Sequence, residues 1–91
     1  MNKKRRKNLS EAVTLLNDAQ AKLSAAKDIV DTAKSEEEDA YDNLPEGLQE
    51  SEKGEQMQEV VDGLESVGDE LDSIYDSIEE QIDEINNVIE G

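Results

Sequence analysis

An apolar residue returns at nearly every seventh position along the first half of the chain: Leu9, Leu16, Leu23, Val30 and Leu44, broken only by Glu37. Three places on, Ala12, Ala19, Ala26, Ala33 and Ala40 keep the same interval. A seven-residue period is close to two turns of about 3.6 residues and far from the two-residue alternation of a strand, so it commits residues 9–42 to a helix with a narrow seam. Alanine at every second seam position removes bulk, which lets a neighbouring helix come close.

Residues 52–90 repeat the pattern with larger side chains. Met57, Leu64, Leu71, Ile78 and Ile85 alternate with Val60, Val67, Ile74 and Val88, with Gln81 as the interruption. Val61, Tyr75, Ile82 and Ile89 form a third column that a two-helix contact leaves partly wet and a bundle covers. Gly63 and Gly68 each cost about 0.5–1 kcal/mol relative to alanine inside a helix, which marks either a tight crossing or a weak point. Between the two periodic segments, Pro45 disfavours helix at Leu44, while Asn43 and Gly47 tolerate left-handed backbone, so residues 43–51 read as a turn. Asn8, with Glu11 three residues on, reads as the N-cap of the first helix, Ser10 as its competitor, and Ser51 as the cap of the second.

The fold expected is all-α: a long antiparallel, coiled-coil-like helical hairpin over residues 9–91, preceded by a basic segment at residues 1–8. Only 20 of the 91 residues are Leu, Ile or Val. A lone hairpin of that composition buries one seam, so assembly into a homo-oligomeric bundle, a dimer or tetramer, is expected to cover the rest.

Charge divides the chain as sharply as periodicity does. Lys3, Lys4, Arg5, Arg6 and Lys7 stand together at the start, and no basic residue follows Lys53, although residues 54–91 hold 13 acids. The total is 25 acids against 9 bases, a formal charge of −16. Acids three and four residues apart, such as Glu65/Asp69 and Asp72/Asp76, each cost roughly 0.2–0.5 kcal/mol on a helix, so burial elsewhere must hold the second helix. Lys22, Lys27 and Lys34 flank the seam of the first helix, placed to face acids of the second such as Glu70.

Residue types also narrow the chemistry. The chain has no Cys, His, Trp or Phe, which removes disulfides, thiolate and imidazole metal sites, and nearly every nucleophile and base pair of acyl transfer. Carboxylate clusters such as Glu36-Glu37-Glu38-Asp39 lack the calcium-loop pattern, and a di-iron bundle requires histidine. No enzyme, cofactor or specific metal site is expected. The basic start is followed by no apolar stretch, the longest apolar run being two residues, so the reading is cytoplasmic, without membrane association.

The stretch Tyr41-Asp42-Asn43-Leu44-Pro45-Glu46-Gly47-Leu48-Gln49, followed by Ser51-Glu52-Lys53-Gly54-Glu55 and Met57, resembles a group of small acidic helical accessory proteins of tailed bacteriophages and prophages. The likeness is strongest over these residues, and the flanking acidic helices look similar too. It implies a setting in a bacterial host cell, where small phage proteins often inhibit host defences, some as mimics of nucleic acid and some by sequestering nucleotide signals. It brings no catalytic residues.

Two surfaces are candidates for binding. Lys3, Lys4, Arg5, Arg6 and Lys7 precede a helix N-terminus, where free N–H groups and the positive dipole end already favour anions, so they suit the phosphates of a nucleotide. Tyr41 offers a ring for stacking a base, against the plainer reading that it packs on the turn. The plainer reading of the cations is a solubilising tail, or one folded onto the protein's own acids. The second surface is the acidic face of Asp69, Asp72, Asp76, Glu79 and Asp83. Two hairpins side by side, each about 50 Å long, carry one charge per roughly 1.6 Å, close to the one per about 1.7 Å of duplex DNA. That suits an inhibitor occupying the DNA groove of a basic host protein, and no direct binding to duplex DNA is expected. The third reading is a purely structural coiled coil.

Overall fold

The computed structural model describes residues 1–91, of which 91% are helical, with no strand. Helix α1 runs Lys3–Asp42, a short α2 runs Glu46–Gln49, and α3 runs Glu52–Glu90. α1 and α3 lie against each other as a long hairpin, a rod of 69 × 15 × 13 Å with a radius of gyration of 20.3 Å. A compact chain of this length has a radius near 12 Å. No helix is long and apolar enough to cross a membrane.

Helix α1 begins six residues earlier than the heptad pattern predicts. The side chain of Asn2 caps it, accepting from the backbone N–H of Arg5 at 2.8 Å, so Asn2 and not Asn8 is the N-cap. Lysine and arginine are good helix formers, and once Asn2 supplies the cap nothing local stops the helix from including them. The basic segment is therefore the first turn of α1 rather than a separate tail. The turn also differs from expectation. No residue has positive φ, and the chain reverses through the single right-handed turn of α2. Gln49 fastens that turn by donating from Nε2 to the Tyr41 carbonyl at 3.0 Å.

The seam falls on a different pair of columns from the one read in the sequence. In α1 the leucine column faces α3, but its companion is Val13, Gln20, Lys27, Lys34 and Tyr41, each buried or half-buried, while Ala26, Ala33 and Ala40 are exposed. In α3 the column of Met57, Leu64, Leu71, Ile78 and Ile85 is joined by Gly54, Val61, Gly68, Ile82 and Ile89. Val60, Val67, Ile74 and Val88 stay 39–47% exposed. The third column of the sequence reading is thus the inward one, and the column assigned to the seam is outside.

Two local facts favour this rotation. Lys27 and Lys34 lay their stems along the seam and reach Asp72 and Glu65 of α3 at 3.1 and 3.9 Å, giving α3 the only cations it meets within ion-pair distance. Turning α1 to bring the alanines inward would carry both lysines away. Gly68 faces Lys27 and Asp31, and a Cβ there would come within 3.3 Å of the Asp31 carboxylate. Its missing side chain therefore lets the helices close at the level of those ion pairs.

Glycines separate into three roles. Gly68 is a close crossing, Gly63 faces open space, and Gly54 sits where a Cβ would fall on the backbone of Gln49 in the turn. Replacing Gly63 with alanine should stabilise the hairpin by about 0.5–1 kcal/mol, since only the helix preference changes. Gly54→Ala should lower the melting temperature by forcing α2 away from the start of α3. Thermal melts followed by circular dichroism check the order; a Gly54→Ala chain as stable as the parent would contradict the packing described.

Candidate functional site

The contact levels Gln20 to Glu79, Lys27 to Asp72 and Lys34 to Glu65 step by seven residues in opposite directions along the two helices. Carrying that register on puts Asn8 level with Gly91, so that Lys3 to Lys7 project past the end of α3. The five cations are all exposed and follow one another around the helix at about 100° per residue, so they radiate rather than converge. None pairs with an acid: all four ion-pair contacts in the chain belong to Lys27 and Lys34. The first turn of α1 contains no acid either. Five positive charges therefore sit at the positive end of a 40-residue helix, an unfavourable arrangement that the neighbouring C-terminus of α3 only partly offsets. Met1, Arg5, Asn8 and Leu9 frame a shallow concavity there.

Tyr41 lies at the opposite end of the rod. It is half-buried in the seam, beside the turn, with its carbonyl held by Gln49. Within one chain, then, the cations and the proposed stacking ring are not brought together; the spacing of 34 residues along a straight helix holds them about 50 Å apart. Tyr75 belongs to the inward column of α3 at 37% exposure, with its carbonyl accepting from Gln20 at 3.2 Å.

The acidic residues are brought onto one side. Helix geometry places Glu65, Asp72 and Glu79 in one column beside the seam, and Asp62, Asp69, Asp76 and Asp83 in the next column outward. Alternating between the two gives an acid every three or four residues from Asp62 to Asp83. Lys27 and Lys34 meet Asp72 and Glu65, while Gln20, inside the seam, donates to Glu79 at 2.7 Å. Asp62, Asp69, Asp76 and Asp83 have no cation within reach. Of the three lysines expected to face acids of the second helix, Lys22 makes no ion pair, and neither does Glu70. At 69 Å the rod is longer than the sequence suggested, so two copies side by side carry one charge per about 2.2 Å, sparser than a duplex at about 1.7 Å. No group of three or more carboxylates lies close enough to hold a metal ion.

Gln20 is the residue that sequence reasoning passed over. It is 5% exposed at a seam position between Leu16 and Leu23, and its amide donates to both the Tyr75 carbonyl and the Glu79 carboxylate. Its spacing of seven from Lys27 and of fourteen from Lys34 was the available signal: a polar column beside the leucines, aligned with the acids of α3.

Lys27 has its pKa raised above the ordinary 10.5, chiefly by its hydrogen bond to Asp72 and then by the negative charge of Asp31. A folded value above the unfolded one means that its contribution is complete below pH 10.5 and disappears as pH rises through the raised value. Half-exposed pairs of this kind set rotation and register more than they add stability.

Compared with models of known protein families, with curated proteins and with solved structures, the chain matches none.

Uncompensated acids along α3 predict a salt response opposite to that of a protein held by surface ion pairs. Raising sodium chloride from about 10 mM to about 0.5 M shortens the screening length from roughly 30 Å to a few ångströms, which should raise the melting temperature. A fall would mean that the Lys27 and Lys34 pairs outweigh the repulsion among the acids.

Proposed function

We propose that this chain is a non-enzymatic accessory protein of the phage type that acts by binding, and that its open end captures the phosphates of a nucleotide, best a cyclic nucleotide signal of a bacterial defence. One observation carries the reading: in a chain of charge −16, Lys3, Lys4, Arg5, Arg6 and Lys7 all remain without an acidic partner at the positive end of α1. A bound phosphate relieves that excess through charge-assisted hydrogen bonds from the Arg forks and lysine ammonium groups. The turn sequence, with its resemblance to phage accessory proteins, supplies the defence setting. Sequestration needs only affinity and abundance, which agrees with a chain that has neither cysteine nor histidine.

A second reading is favoured by the ladder from Asp62 to Asp83. A rigid exposed row of acids fits the basic groove of a host nucleic-acid-binding protein and gains from its charge. The two readings use opposite ends of the charge scale and separate cleanly.

Calorimetry of the purified protein against a panel of cyclic nucleotides should give heat for at least one, and none when Lys3, Lys4, Arg5, Arg6 and Lys7 are all alanine. Asp69→Asn, Asp76→Asn and Asp83→Asn together should leave that heat unchanged. Silence across the panel for the parent protein would overturn the nucleotide reading. Under the second reading it is the asparagine substitutions that release a basic protein held by the chain, while the alanine substitutions leave it bound.

A further inference from the structure

The rotation that fixes the seam leaves one side of the hairpin mostly apolar, interrupted in α3 by Gln81. The columns Ala12, Ala19, Ala26, Ala33, Ala40 in α1, of which the first two are half-buried and the rest exposed, and Val60, Val67, Ile74, Val88 in α3 each lie about 80° to the same hand of their seam, counted along their own helices. Because the helices are antiparallel, that places both columns on a single face. The ion pairs of Lys27 and Lys34 and the acid ladder lie on the opposite face. Leu15 and Ile29, 68% and 71% exposed, border the alanine column.

The hairpin exposes 6560 Å², whereas a compact protein of 10.1 kDa exposes about 5,300 Å². One whole side of the rod measures at most 69 by 15 Å, about 1,000 Å² per copy, so two copies joined along most of that side come within the 1,200–2,000 Å² of stable interfaces.

We infer that a second copy of this chain docks on the Ala12–Ala40 and Val60–Val88 face with its rod reversed, α1 on α1 and α3 on α3, so that the cationic end of each copy lies on the turn of the other. The alanine column is symmetric under that reversal, and so is the α3 column except that Gln81 falls opposite Val67. Ala26 meets its counterpart at the centre, with Ala19 against Ala33 and Ala12 against Ala40. Ile74 likewise meets Ile74, with Val60 against Val88. The two centres stand at nearly the same level of the hairpin, so one two-fold axis serves both helices. Alanine against alanine lets the α1 helices approach closely, and Leu15 and Ile29 overhang the alanines of the other copy.

Charge chooses the direction. Arg5 heads the alanine column, seven residues before Ala12, and the same axis sets it level with Gly47 of the second copy, between Glu46 and Glu50. Lys53 heads the valine column and falls just beyond the C-terminal, negative dipole end of the other α3. The parallel arrangement would gather the cationic ends of both copies at one end of the assembly and both acidic turns at the other. The inference stands apart from the nucleotide reading, since neither the apolar face nor the charge pairing needs a ligand. It does bring the cations of one copy to the same end of the assembly as Tyr41 of the other.

The chain has no cysteine, so single cysteines report position without background. A mixture of Arg5→Cys and Gly47→Cys chains, treated with a short thiol-to-thiol linker, should give the mixed covalent dimer, with little product from either chain alone. Arg5 stands about 60 Å from its own counterpart in the reversed pair. Product from Arg5→Cys chains alone would overturn the reversed orientation, and sedimentation of the parent protein as a monomer at micromolar concentration would overturn the dimer. Ala26→Glu with Ile74→Glu should weaken the dimer at least tenfold while keeping the helical circular dichroism; an undiminished dimer would overturn the face. Should that variant lose its helices, the cross-links decide alone. Calorimetric failure with nucleotides leaves all these outcomes as they are.

Discussion

Everything in this molecule depends on which side of each helix faces the other. With two candidate columns beside each leucine-type column, α1 and α3 have more than one way to close. Burial alone scarcely distinguishes them, because alanine on one side of α1 is weighed against valine, glutamine, lysine and tyrosine on the other. The decision comes from pairing. Gln20, Lys27 and Lys34 occur at seven-residue intervals, and Glu79, Asp72 and Glu65 recur at the same interval in the opposite direction, so only one rotation satisfies all three at once. Each contact is weak and half-wet, yet together they set register and rotation, the role that polar seam positions play in coiled coils.

Once that choice is made, the division of the surface follows from helix geometry. Acids of α3 that meet the three polar seam residues, and those beside them, form one wall. Alanine, valine and isoleucine left out of the seam form the other. The ends are divided too: cations at the start of α1, and Glu36 to Glu55 around the turn. A chain with so few buried side chains, Gln20, Val61 and Ile82, keeps its order through this segregation rather than through a deep core.

The hairpin itself was legible in the sequence, because the heptads, the Pro45 turn and the absence of strand periodicity all point one way. The second helix ran over the predicted span, and the first began six residues early because Asn2 rather than Asn8 caps it and lysine and arginine prolong a helix readily. The seam was misread for a physical reason. An alanine column looks like a coiled-coil core when apolar character is counted, whereas Lys27 and Lys34 look like flanks. Their long stems, however, bury while their ammonium groups reach acids, so a lysine can hold an inward position that a tally of apolar residues assigns to a smaller side chain. Gly68 was a visible clue to the true seam but had no meaning until its partners across the crossing were known. The candidate site was legible as charge and not as shape: Lys3 to Lys7 were identifiable from composition, but their radiation around α1 and their distance from Tyr41 required the helix to be placed.

The central claim is that α1 and α3 lie side by side in the register set by the Lys27 and Lys34 pairs. Spin labels on Ser24→Cys and Ser73→Cys in one chain, diluted with unlabelled protein, measure it directly, since the two positions stand level across the hairpin. The account predicts a single narrow distance distribution within about 20 Å, two helix diameters. A broad distribution reaching beyond about 40 Å would show that the helices do not pair, and the account of the faces and ends would fall with it.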